Sequence, residues 1–133
     1  MRKPRVLVTS GDPGGVGPEL ILRALADPEV GGLADFTVVG NPASFRRDAE
    51  ALGLPLPVTL PGGGPPGVPV SGPARAPADR PPVPVGRPSA EGARAAVKAV
   101  AAAVNLMAWG EAGALVTAPV SKEALRLGGY PWP

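Results

Sequence analysis

The sequence has no cysteine and no histidine in its 133 residues. No disulfide frame, cysteine redox motif, zinc finger, Ser-His-Asp triad or histidine-ligated metal site can therefore be built from this chain alone. Aromatic residues are scarce, with two Phe, two Trp and one Tyr. No apolar run approaches the roughly 20 residues of a membrane span. Met1-Arg2-Lys3-Pro4-Arg5 is not followed by the apolar region of a signal peptide. The expectation is a soluble, cytoplasmic protein with no membrane partner. Charge is balanced, with 13 basic and 11 acidic residues for a net +2. Arg2, Lys3 and Arg5 cluster at the start, and Arg75, Arg80 and Arg87 lie in a proline-rich stretch. Neither group forms a basic stripe with interleaved aromatics, so no nucleic-acid partner is expected. What remains for chemistry is carboxylates, Lys, Arg, hydroxyls and backbone groups.

Small and rigid residues fill the chain instead: 22 Ala, 19 Gly and 20 Pro. Average usage at this length gives roughly 9 Gly and 7 Pro. Arg5 to Ser10 reads as a short buried strand, followed by a glycine-rich turn from Gly11 to Gly17. Pro18 suits the first position of a helix, whose apolar content is Leu20, Ile21, Leu22, Ala24 and Leu25. Phe36 to Val39 is a second strand. Asn41-Pro42 predicts an N-cap and helix start, Phe45, Ala49 and Leu52 recur at helical spacing, and Gly53 is a C-cap.

From 55 to 88 the composition changes, with 12 Pro and 6 Gly in that stretch. Gly62 to Gly67 cannot continue a helix or central strand. Val68-Pro69-Val70 and Val83-Pro84-Val85 are at most edge strands, and the stretch reads as an excursion of low regular structure. Ser89 then predicts an N-cap for an alanine-rich helix to about Trp109, with Ala93, Ala96, Val97, Val100, Val104 and Met107 on its apolar face. Glu91 and Arg94 read as an exposed first turn. Ala112 to Thr117 is expected to be a third buried strand, and Lys122 to Leu127 a short helix capped by Ser121. Trp109 and Trp132 are expected to be packing residues. The organisation is thus a βαβα unit over 1–54, an excursion over 55–88 and an αβα unit over 89–133. The fold class is α/β with a mainly parallel sheet and flanking helices.

Two segments carry candidate chemistry. Gly11-Asp12-Pro13-Gly14-Gly15-Val16-Gly17-Pro18-Glu19 joins a strand to a helix, where backbone N–H groups can meet an anion. It matches neither the dinucleotide fingerprint, which would need Gly at position 20, nor the phosphate loop, which needs Lys after Gly17. An unusually tight βα turn is the plainer explanation, yet Asp12 and Glu19 bracket the glycines. Thr117-Ala118-Pro119-Val120-Ser121-Lys122 leaves a strand at its carboxyl end, where open α/β sheets bind ligands. Thr117 brings a hydroxyl and Lys122 a cation for phosphate or carboxylate; a strand exit with a solvated Lys is the alternative. In a parallel sheet both loops lie on the same edge.

The first of these segments resembles the GDPAGIGPE opening of the 4-hydroxythreonine-4-phosphate dehydrogenase family, with Gly14 for Ala and Val16 for Ile. Ser89 to Val97 is similar to that family's S-A-E-x-G-R-A-A helix start, with Ala93 where Gly is usual. Leu115 to Leu125 resembles its L-V/I-T-A/G-P-I/V-x-K-E-A-L block. Three ordered blocks span nearly the whole chain. The resemblance implies an enzyme of vitamin B6 biosynthesis that uses NAD or NADP and a divalent metal (Zn, Mg or Co). It would oxidise and decarboxylate a phosphorylated hydroxythreonine, on an isocitrate/isopropylmalate dehydrogenase-like fold, as a homodimer. Sister enzymes act on four-carbon sugar-acid phosphates, and the present residues do not separate them.

The family chain is about two and a half times longer. Its next residues are Gly-His-Thr-Glu, with a substrate-contacting His-Thr pair, and its metal-binding histidines follow later. None of these exists here, so no catalytic or metal residue carries over. Asp12, Gly17, Glu19, Thr117, Pro119 and Lys122 carry over as residues near the cofactor or substrate. The expectation is the N-terminal portion of such a dehydrogenase, inactive by itself. The rival expectations are a non-catalytic α/β binding or interaction module, and a decarboxylating dehydrogenase of the isopropylmalate type, which the Pro at position 13 disfavours.

Overall fold

The computed structural model describes residues 2–54, 58–59, 68–71 and 83–132. The glycine run 62–67 and the arginines Arg75 and Arg80 lie outside the described residues. The elements run in the order β1 (Arg5–Thr9), α1 (Gly17–Ala26), α2 (Pro28–Gly31), β2 (Asp35–Val39), α3 (Pro42–Leu52), β3 (Val58–Thr59), β4 (Val68–Ser71), α4 (Ala90–Ala108), β5 (Ala114–Thr117) and α5 (Lys122–Leu127). The strands form one sheet in the order β3-β4-β2-β1-β5, with every neighbouring pair parallel.

Alternation along β1 sends successive side chains to opposite faces. Val8 packs with Val38 beneath Ile21, Leu22 and Leu25 of α1 and Phe45 and Ala49 of α3. Leu7 and Val39 pack on the other face beneath Ala99 and Ala103 of α4. The fold is thus a three-layer α/β sandwich. Burying each of Leu22, Val38 and Phe45, all fully excluded from solvent, is worth about 1.5–3 kcal/mol. A helix cap contributes about 1 kcal/mol, so the layers hold the fold and the caps set its boundaries. Those boundaries follow the sequence closely. Asn41 Oδ1 accepts from the Ala43 amide at 2.9 Å, Ser89 Oγ from Gly92 at 3.0 Å and Ser121 Oγ from Ala124 at 3.2 Å. Gly53 closes α3 in the left-handed conformation.

Four expectations change. The stripe that α4 turns inward is alanine (Ala93, Ala96, Ala99, Ala103), whereas Val104 is half-exposed. The sheet supplies the large side chains at this contact (Leu7, Val39, Leu115), so the helix presents small ones and sits close. β5 is not a buried strand: it is the sheet's edge, and Val116 is 53% exposed. Among the described residues, α4 covers only the Leu115 face of β5.

Val68-Pro69-Val70 forms β4, which is not at the edge but between β3 and β2. Its proline is tolerated there because β2 pairs with Val70 and Ser71, leaving Pro69 opposite Thr59 of the two-residue β3. Val83-Pro84-Val85 forms no strand; Val83 is instead buried. Finally, Trp109 and Trp132 are 75% and 54% exposed rather than packed. Trp132 stacks on Tyr130 with ring centroids 5.1 Å apart. No helix among the described residues is long and apolar enough to cross a membrane.

Candidate functional site

β1 is followed in space by β2 on one side and β5 on the other, so the chain reverses its winding direction between β1 and β5. Such a switch point, at the carboxyl ends of the strands, is where open α/β sheets bind ligands. The glycine loop leaves β1 there and residues 118–121 leave β5 there. They touch directly: the Asp12 amide donates to the Pro119 carbonyl at 3.3 Å, and the Ala118 amide to the Thr9 carbonyl at 3.1 Å. Gly11 has φ +65°, and a Cβ on it would run into the Pro119 carbonyl. The two loops could not approach this closely with any other residue at position 11.

Asp12 is the hub. It is 4% exposed, and its Oδ1 accepts from the Gly14 amide at 2.8 Å. Its carboxylate lies against Gly92 in the first turn of α4, filling the space a Cβ would take. An anion is favoured at that position by the helix dipole. The three separate sequence blocks, 11–19, 89–97 and 115–125, thus converge on one residue: Gly14 and Gly92 meet the Asp12 carboxylate, and Pro119 its backbone amide. Gly17 belongs to the same packing: a Cβ there would strike the Ser10 carbonyl.

The other candidates are placed differently. Glu19 lies in the first turn of α1 and pairs with Arg23 at 3.0 Å, on the outer surface. Thr117 is exposed at the end of β5, opposite Thr9 in register. Thr9 Oγ1 is buried with no partner among the described residues. Pro119 is exposed but contributes its carbonyl to Asp12. Lys122 opens α5 and lines a surface groove with Glu123, Arg126, Tyr130, Pro131 and Trp132. Asp12, Gly17 and Pro119 are therefore brought together as packing partners, Thr117 lies beside them, and Glu19 and Lys122 point elsewhere.

One residue escaped the sequence reading. Arg47 of α3 contacts Asp48 Oδ1 at 2.6 Å through Nε, the Pro13 carbonyl at 2.9 Å and the Val83 carbonyl. It ties the glycine loop to residues 83–86. The available signal was Asp48, which falls beside Phe45 and Ala49 on the inward side of α3, where a carboxylate needs a cation.

The metal and nicotinamide cofactor implied by the resemblance do not fit the residues present. Among the described residues no three His, Cys, Asp or Glu side chains gather as a metal cluster. The Gly14 and Gly15 amides are turned onto Asp12 itself, at 2.8 and 3.0 Å, rather than toward an outside anion.

Comparison with known proteins identifies the family. Residues 34–133 match the family described as pyridoxal phosphate biosynthetic protein PdxA. A 4-hydroxythreonine-4-phosphate dehydrogenase from Geobacter metallireducens is 36% identical over 140 residues, covering 98% of this chain and 40% of that protein. A Bradyrhizobium diazoefficiens protein, whose name proposes a D-threonate 4-phosphate dehydrogenase, is 33% identical over all of this chain and 39% of its own length. The crystal structure of a 4-hydroxythreonine-4-phosphate dehydrogenase from Burkholderia phymatum superposes with a TM-score of 0.81 at 27% identity, covering all of this chain and 41% of that one. The chain thus spans about two fifths of the length of these relatives. With its parallel sheet, its three blocks and this match, the chain belongs to the PdxA family of pyridoxal phosphate biosynthetic proteins.

Proposed function

We propose that this chain is the N-terminal portion of an NAD(P)- and metal-dependent dehydrogenase that oxidises and decarboxylates 4-phosphohydroxy-L-threonine. We further propose that the 133-residue chain alone is inactive. The observation that carries this reading is the convergence of the three family-like blocks on Asp12 at the sheet's switch point. In this reading Asp12, Gly17 and Pro119 hold the floor of the site. Thr117 offers an exposed hydroxyl suited to a phosphate monoester at the end of β5, while the Lys122 cation lies in the neighbouring groove with Arg126 and Tyr130. The groups that bind metal and hydride donor come from outside these residues. A cytoplasmic homodimer is part of the same proposal.

A second reading is favoured by the Bradyrhizobium relative, which covers this chain equally well: a dehydrogenase of four-carbon sugar-acid phosphates such as D-threonate 4-phosphate.

The purified chain, incubated with 4-phosphohydroxy-L-threonine, NAD or NADP and Zn²⁺, Mg²⁺ or Co²⁺, is expected to form no reduced nicotinamide. Turnover would overturn the claim of inactivity. Reading the gene past the Pro133 codon tests the parent activity. A frame continuing Gly-His-Thr-Glu, whose longer product turns over phosphohydroxythreonine, supports the first reading. Preference for threonate phosphate supports the second, and a longer product inert on both overturns both.

A further inference from the structure

Residues 83–88 meet the glycine loop at Gly14, and among the described residues few polar contacts hold them there. Val83 is buried at 2% exposure, whereas Pro84 to Pro88 are all exposed. The described polar ties to the loop and to α3 are the Arg47 guanidinium on the Val83 carbonyl and the Gly86 amide on the Gly14 carbonyl at 3.0 Å. Gly11, Asp12, Pro13 and Gly14 are buried, with Gly14 lying between Val83 and Pro84 on one side and the Asp12 carboxylate on the other, whereas Gly15 and Val16 are exposed. A Cβ on Gly14 would strike the Pro84 carbonyl, so the contact is tight as well as sparsely bonded.

Arg47 stands at the junction. Its guanidinium serves two carbonyls from segments far apart in sequence, Pro13 and Val83, and its charge is matched by the neighbouring Asp48. A planar fork with five donors can bridge two carbonyls in this way; an ammonium cannot hold both in the same geometry.

We propose that residues 83–88 are a strap that opens and closes over the glycine loop as a unit, with Arg47 as its latch. When closed, it seals Asp12 from solvent. When open, it bares the Gly14 carbonyl and gives Asp12 a path to the outside without disturbing the sheet. A segment tied by few bonds and one buried side chain belongs to the low-stability end of a fold, where local opening precedes global unfolding. The strap's motion does not depend on what the family-length protein catalyses.

Amide hydrogen exchange on the intact chain tests this. In Arg47→Lys, the amides of Gly14 and Gly86 are expected to exchange about tenfold or more faster than in the parent chain. Amides of the β1–β2 ladder are expected to change far less. Gly86→Pro gives a second test away from α3. It removes the Gly86 donor and imposes a negative φ where the backbone has φ +92°. The same selective acceleration is expected at Gly14, and it supports the strap even if Arg47→Lys fails to fold. Equal acceleration of loop and sheet amides, no acceleration in either variant, or unfolding of both would overturn the proposal.

Discussion

The Asp12 carboxylate occupies the space that a Cβ on Gly92 would fill, although Asp12 lies in the loop after β1 and Gly92 in the first turn of α4, on either side of the proline-rich stretch. This pairing explains why a carboxylate is tolerated at 4% exposure. Oδ1 takes the Gly14 amide, and the first turn of α4 supplies a favourable dipole. It also predicts a coupling. Gly92→Ala should destabilise the chain by about 1–3 kcal/mol through overpacking. In an Asp12→Ala background the same change should cost far less, because the colliding atoms are gone. Urea unfolding of the four members of the cycle measures the coupling, and additive costs would rule out direct contact.

The glycines of the loop should differ sharply in tolerance. A Cβ on Gly17 meets the Ser10 carbonyl, a backbone atom that cannot swing aside. At Gly15 the nearest atom is the Asp12 carbonyl oxygen at 3.4 Å, an ordinary contact, and the residue is exposed. Gly17→Ala should therefore lower the melting temperature by many degrees or prevent folding, while Gly15→Ala shifts stability by under about 1 kcal/mol. Thermal melts of the two variants side by side decide this. Equal effects would mean that the loop's tightness is not set by the Gly17–Ser10 approach.

Helix starts should respond as capping predicts. Ser89 and Asn41 each accept one backbone amide, so Ser89→Ala and Asn41→Ala should each cost about 1 kcal/mol. Glu19 makes a different comparison. Its partner is Arg23 on the exposed surface, and Glu19→Gln should cost less than about 0.5 kcal/mol. Denaturant midpoints separate these classes. A large loss at Glu19 would show an interaction beyond the surface pair.

How much was legible beforehand follows from the range over which each signal acts. β1, β2, α3, α4 and α5 were readable because caps, glycines and apolar periodicity are local. Asn41, Gly53, Ser89 and Ser121 each mark a boundary within a few residues. The parallel sheet followed from element order. The nearness of the two loops followed from the sheet. Arg47 was not readable, because its meaning depends on carbonyls of Pro13 and Val83 that only the folded chain brings to it. The expected face of α4 holds at Ala93 and Ala96, but Ala99 and Ala103 rather than Val104 meet the sheet, because a sheet already carrying Leu7, Val39 and Leu115 needs the smaller partner. Burial of β5 was misjudged for the complementary reason. Ala-Leu-Val-Thr reads as interior by composition, but burial depends on how many neighbours a strand has.

That open edge carries the last prediction. Among the described residues β5 pairs with β1 on one side only, and Val116 projects from it at 53% exposure. An exposed edge strand with unpaired backbone groups is a template for pairing with another chain. The isolated chain should therefore associate as its concentration rises, through β5. A lysine on an edge strand opposes such pairing by charge and by the cost of burying it. Val116→Lys should weaken the association while leaving the melting temperature of the dilute chain within a few degrees, since little is buried at this position. Leu115→Lys, on the face packed against α4, should instead lower the melting temperature, because it removes an apolar contact from the α4 layer. Light scattering across a concentration series, paired with dilute thermal melts, separates the two effects. Association that persists unchanged in Val116→Lys would place the contact elsewhere on the chain.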